Sequence, residues 1–98
     1  MRSVIQDEKE CYLCETTQDL HDHHCFGGPN RQLSEKYGLK IWLCARHHNM
    51  SDYSAHFDKA LDLQFKKTAQ RKFEETHSRE EFLEVFGRNY LDGAKQNI

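Results

Sequence analysis

Apolar residues follow two different periods along this chain, and the change falls near its middle. In the first half they come in short runs. Leu20–Phe26 alternates weakly between apolar and polar positions and predicts a short strand. Phe26-Gly27-Gly28-Pro29-Asn30 is turn chemistry. Leu39-Lys40-Ile41-Trp42-Leu43, preceded by Gly38, is β-branched and aromatic and predicts a second strand. From about Arg46 the pattern turns helical, and a first helical segment is expected from His47 to about His56. Leu61, Phe65, Ala69 and Phe73 then recur at i+4, which marks the buried stripe of a helix. Ser78-Arg79-Glu80-Glu81 is a capping box, with Ser78 as N-cap and Glu81 three residues on. The short helix it opens should bury Phe82, Val85 and Phe86 and end at Gly87. Residues 1–9 show no period and read as a polar, mobile lead-in.

With 98 residues, 37 % hydrophobic and 31 % charged, the chain makes one small α+β domain with a thin core. A core of that size gains from a staple, and a structural metal is one. The net charge of −2 gives no bulk support to nucleic-acid binding. Local charge differs: Arg31, Lys36, Lys40 and Arg46 fall around the histidine region. Lys66, Lys67, Arg71 and Lys72 lie largely off the apolar stripe, as a solvated helix face would, with non-specific phosphate contact as the functional alternative. No apolar stretch approaches membrane-spanning length, and Met1–Glu10 lacks the apolar run of a signal peptide. A cytoplasmic setting is expected, where paired cysteines favour zinc over disulfides.

Cys11-x2-Cys14 and Cys44-x2-His47 have the ligand types and spacing of a structural zinc site, with residues 11–14 as its knuckle. Buried free cysteines or a redox pair are the plain alternative. Cys25 is the rival fourth ligand, ranked behind His47 because a small apolar residue would also suit its place in a strand. Five of the seven histidines lie between residues 21 and 48, more than that zinc can use. Adjacent strand residues point to opposite faces. One of His23 and His24 can therefore hold a metal while the other activates water. His48 begins the helix, with Asp52 and His56 following at i+4 and i+8, roughly on one face. A strand–turn–strand–helix unit can thus bring His23 and His48 to one ion, with His24 beside it. Phosphodiester hydrolysis needs those parts: a neutral imidazole to take a proton from water, and a divalent ion at the phosphate. Arg31, after the Gly-Gly-Pro turn, could clamp a phosphate, and Arg46 could contact DNA backbone. His21 shares a strand face with His23 and is a candidate partner for it. The reading from another class is a zinc-binding module that holds DNA or a protein without cutting.

This layout resembles the ββα-metal (His-Me finger) fold of the HNH endonuclease superfamily in its zinc-supported form, with additional C-terminal helices. The resemblance implies that His23 is a metal ligand, His24 the general base, and His48 and His56 the remaining ligands. A closer resemblance is to the Ref-type, RecA-dependent nucleases of phages and prophages. It is carried by His23-His24-x-Phe26-Gly27-Gly28, Arg31, Leu33-Ser34-Glu35-Lys36-Tyr37-Gly38-Leu39, Leu43-Cys44-x-x-His47-His48, His56-Phe57 and Phe86-Gly87-Arg88-Asn89-Tyr90-Leu91. It implies a metal-dependent DNA endonuclease acting in recombination and cutting one strand at a time. Its partners would be DNA and a RecA nucleoprotein filament. The structural ion would be Zn2+ and the catalytic ion Mg2+ or Mn2+, with Zn2+ able to enter the same histidines. The implied plan is one HNH-like domain over residues 1–98, with a ββα-metal core over about 20–57 and packing helices over about 58–91. The sequence departs from the superfamily at Leu39, where many members carry an asparagine; Asn49 is the candidate replacement. The long basic N-terminal extension of some Ref proteins is not present before Cys11, so strong autonomous DNA binding is not expected.

Overall fold

The computed structural model describes residues 2–48 and 58–91. Its elements run β1 (Leu20–His24), a 3-10 turn (Gly28–Asn30), α1 (Arg31–Tyr37), β2 (Lys40–Cys44), α2 (Ala45–His48), α3 (Lys59–Phe73) and α4 (Arg79–Phe86). The result is a small mixed α/β fold with one two-stranded antiparallel sheet. Register pairs Leu20 with Cys44, Asp22 with Trp42 and His24 with Lys40. Pleating puts His21, His23, Ile41 and Leu43 on one face and Asp22, His24, Lys40 and Trp42 on the other.

Both strands lie close to their expected positions. β1 stops at His24 rather than Phe26, and β2 begins one residue later and takes in Cys44. Cys25 keeps one backbone bond beyond the ladder, its N–H donating to Leu39 O at 3.0 Å, while Phe26 leaves the pairing; both are buried in the core. Outside a ladder, a buried backbone needs other partners. The fully buried Ser34 supplies them, accepting from Phe26 N at 3.0 Å and donating to Phe26 O at 2.8 Å. The Phe26 ring then meets Phe86 at 4.5 Å and Tyr90 at 5.4 Å between centroids.

The helix α1 is the main departure from expectation. The Gly-Gly-Pro-Asn segment is a turn, but it feeds a seven-residue helix rather than the second strand. Gly38 ends that helix at φ 70, and its N–H returns to Glu35 and Ser34. A Cβ at Gly38 would collide with the backbone carbonyl of Arg2. Gly38→Ala therefore combines left-handed strain with a backbone clash, and should cost about 2 kcal/mol or more. Its urea midpoint should fall well below that of the parent protein, and an unchanged midpoint would mean that residue 2 is not docked there.

Residues 2–12 are also not a free lead-in. Val4 N donates to Gly38 O at 2.9 Å, the Ser3 hydroxyl donates to Lys40 O, and Trp42 N donates to the Gln6 side chain at 2.9 Å. Tyr12 N donates to Trp42 O at 2.8 Å. This segment covers the edge of β2 that β1 does not use.

The two later helices follow the sequence closely. Asp58 caps α3 by accepting from Ala60 N and Leu61 N. Its stripe buries Phe65, Ala69 and Phe73, with Leu61 half-buried. α4 carries the Ser78/Glu81 capping box, buries Phe82 and Phe86, and ends at Gly87 with φ 77. Gln70 is fully buried and ties α3 to the C-terminal segment, donating to Asn89 Oδ1 at 2.9 Å and accepting from Tyr90 N at 2.8 Å. No helix among the described residues is long and apolar enough to cross a membrane. The expected extension of α2 towards His56 lies outside the described residues, as do Asn49, Asp52, His56 and Phe57 themselves.

Candidate metal centre and histidine cleft

Cys11 opens a tight turn closed by Glu15 N donating to Cys11 O at 2.8 Å, with Glu15 at φ 64. That turn faces Cys44, the last residue of β2, and α2 follows at once. One short helical step places His47 back over the same point. Cys14 Sγ lies 3.8 Å from Cys44 Sγ, and His47 Nδ1 lies 3.6 Å from Cys11 Sγ and 3.2 Å from Cys44 Sγ. All four ligand atoms fall within 4.8 Å of one another. A tetrahedral zinc with Zn–S near 2.3 Å and Zn–N near 2.0–2.1 Å requires S–S edges of about 3.8 Å and S–N edges of about 3.6 Å. The set therefore fits a metal such as zinc, in donor type and in size.

Burial alone would raise the Cys11 thiol, but backbone interactions with Cys44, Cys14 and Leu13 pull it down to about 6. At Cys14 the Thr16 backbone lowers the thiol, yet desolvation and the neighbouring Cys11 and Cys44 sulfurs outweigh it and raise the value. Three sulfurs this close compete for negative charge, a conflict that a central cation removes. The rival ligand Cys25 stands apart from this set. Its burial pushes the thiol up to about 12, which keeps it protonated in the core.

The remaining histidines gather around β1. His23 is buried, with its ring 5.4 Å from that of His48 and 5.7 Å from that of Phe65 on α3. His21 Nδ1 lies 2.9 Å from His48 Nδ1, so the neighbour expected for His23 instead pairs with His48. His24, on the opposite strand face, has its Nε2 at 2.9 Å from Glu35 Oε1. Lys40 reaches both Glu35 oxygens at 3.0 Å and Asp22 at 3.2 Å. Burial would lower the Lys40 ammonium, but these two carboxylates hold it above the ordinary lysine value.

His23, His24 and His48 line one open cleft of about 520 Å³, together with Asp22, Arg31, Asp62 and Lys66. Arg31 is exposed at the first position of α1, and Lys66 pairs with Asp62 at 2.9 Å. Arg46 is placed elsewhere. It borders a smaller hollow beside Cys14, Cys44 and His47. Among the described residues, two groups bring three or more donors together: the Cys3His set, and Asp22 with His24 and Glu35. His23 and His48 belong to neither, and their expected companion His56 lies outside the described residues.

Sequence reasoning did not find the contact of Glu35 with His24, and it ranked phosphate contact by Lys66 behind a solvated face. Glu35 depends on the unforeseen α1, whose signal was Leu33 and Tyr37 at i+4 before a terminal Gly38. Lys66 was counted with a solvated face, although it lies one residue from the stripe residue Phe65. No protein family, curated protein or solved structure matches this chain.

Proposed function

We propose that this chain is a zinc-supported, metal-dependent DNA endonuclease of the HNH, or ββα-metal, type, cutting one strand at a time. One observation carries the reading. His23, His24 and His48 line an open cleft whose wall carries Arg31 and Lys66 beside Asp22 and Asp62, while the Cys3His set closes separately beside the Leu20 end of the same strand pair. A purely structural two-zinc domain has no need of an accessible histidine cleft with Arg31 and Lys66 at its wall.

In this reading zinc sits between Cys11, Cys14, Cys44 and His47 and fixes the start of α2. His24 acts as general base and takes the proton from the attacking water, the natural work of a neutral imidazole near pH 7. His23 and His48 would hold Mg2+ or Mn2+, which supplies charge stabilisation at the scissile phosphate and the leaving 3′ oxygen. Two imidazoles would leave positions for phosphate oxygen and water, and such nitrogen donors suit a transition ion such as Mn2+ better than Mg2+. His21 orients His48 through its Nδ1. Arg31 offers a planar fork to a phosphate, and Lys66 a point charge. A water on the divalent ion would supply the proton to the leaving 3′ oxygen, so the products would carry 5′-phosphate and 3′-hydroxyl ends. Arg46 would meet the DNA backbone outside the cleft, on the zinc side. The substrate is DNA in recombination, directed by a RecA nucleoprotein filament.

Nicking of supercoiled plasmid by the zinc-loaded protein tests this. Conversion to open circles should need added Mg2+ or Mn2+ and should weaken steeply with salt. A parallel reaction contains a homologous RecA filament, and cutting seen only there would place the chain with the filament-directed nucleases. If no DNA is cut under any of these conditions while fold and zinc are intact, the enzyme reading fails. The non-cutting zinc module then takes its place.

A further inference from the structure

Behind His24, away from the cleft, stands a carboxylate that the hydrolytic scheme does not use. Glu35 Oε1 lies 2.9 Å from His24 Nε2, and the His24 side chain is only 9 % exposed. His24 lines the cleft, whereas Glu35 does not. We propose that Glu35 is the positioning residue for His24, holding Nε2–H so that Nδ1 is the nitrogen that accepts the proton from water. The proposal rests on the nuclease reading and adds the ring nitrogen and its partner.

The chemistry follows from donor counting. A neutral imidazole has one donor nitrogen and one acceptor nitrogen, and an ionised carboxylate only accepts. Whenever the contact with Glu35 is a hydrogen bond, Nε2 carries the proton and Nδ1 carries the lone pair. The side chain of His24 is too enclosed to change that by turning freely.

Glu35 is itself held. Lys40 donates to both of its oxygens at 3.0 Å and also to Asp22 at 3.2 Å. Asp22, His24 and Glu35 could suggest a further metal site, since their ligand atoms lie within 4.8 Å. The Lys40 ammonium already fills the place of a cation between the two carboxylates. The group is therefore better described as a clamped His–Glu dyad than as a metal site. The backbone below supports it: Ser34, next to Glu35, is bonded on both sides to Phe26, and Gly38 N–H closes the helix on Glu35 O.

Two measurements on the zinc-loaded full chain decide the matter. Nitrogen-15 shifts of the His24 ring report its tautomer without any reference to cutting. Nε2–H is expected in the parent protein, and a tautomer mixture in Glu35→Ala. The kcat for nicking should fall about 10–100-fold in Glu35→Ala with KM nearly unchanged. Glu35→Gln, which still offers an oxygen to Nε2–H, should recover part of that loss. A far-UV spectrum like the parent's shows that each variant is folded. His24 carrying its proton on Nδ1 in the parent, or a tautomer indifferent to Glu35→Ala, overturns the proposal whatever the nicking result. A Glu35→Ala protein with altered tautomer and parental kcat overturns the positioning role as well. If the parent cuts nothing but shows the Glu35-dependent tautomer, the nuclease reading fails and the orientation of His24 by Glu35 stands.

Discussion

Stripping zinc from the zinc-loaded protein with a strong chelator is expected to abolish its cooperative thermal transition. The reason is the small scale of everything else that holds the N-terminal half. Cys11 and Cys44 are core residues whose sulfurs lie against His47, with Cys14 beside Cys44. Without a cation, their mutual proximity changes from favourable to unfavourable. Structural zinc sites contribute on the order of 10–16 kcal/mol near pH 7, whereas a domain of this size has a total stability of about 5–15 kcal/mol. Loss of the metal is thus comparable to the whole margin. Cys44→Ala should act in the same direction, because it removes the ligand that belongs to the sheet as well as to the site. Trp42 is a built-in reporter. It is the one tryptophan, half-buried, and its backbone is bonded to both Gln6 and Tyr12. Its emission should shift to the red as the chelator acts. One zinc fewer per chain in Cys44→Ala than in the parent completes the expected result. A chelated protein that keeps its transition and its Trp42 emission would show that the Phe26, Phe73, Phe82 and Phe86 core suffices alone.

His24→Ala is expected to lower plasmid nicking by about 100- to 10,000-fold, the range that a positioned general base contributes. The loss should appear in kcat and leave KM close to its starting value, because the imidazole acts on water rather than on bound DNA. His24 suits this experiment better than its neighbour. His23 is buried against His48 and Phe65, so its removal also leaves a hole in the core. His24 ends β1 and lines the cleft, so Ala leaves the strand pairing in place. Zinc content and thermal midpoint close to those of the parent would separate chemistry from folding. Parental nicking by His24→Ala would assign the activity to another base or to a contaminant.

What the sequence made readable was whatever depends on short spacing. Two cysteines three positions apart, and a cysteine and histidine at the same spacing, can each reach one point through local backbone geometry alone, and they do. The α3 stripe and the Ser78 cap are local in the same sense. Strand limits drifted by one or two residues because Cys25 and Phe26 are apolar enough for a strand, yet the pairing ends with Cys25 N–H on Leu39 O and Phe26 is held by Ser34 instead. α1 went unread because its turn residues are so strong that they mask a helix with no side-chain cap at its start. Glu35 is invisible for a further reason: its contact with His24 depends on how that helix is rotated over the strand end. The N-terminal segment was misread through its polarity. Ser3 and Gln6 are polar because they bond to β2, not because they face water alone.

That covering segment has a consequence for how molecules of this protein meet one another. A strand with open N–H and C=O groups is a template on which a second chain can assemble, the first step towards fibrous aggregates. At Lys40 and Trp42 the free groups of β2 are already taken by Ser3, Gln6 and Tyr12 of the same chain. The short sheet is therefore closed to intermolecular strand addition along that side, in part by Ser3 and Gln6, which belong to neither the metal set nor the cleft.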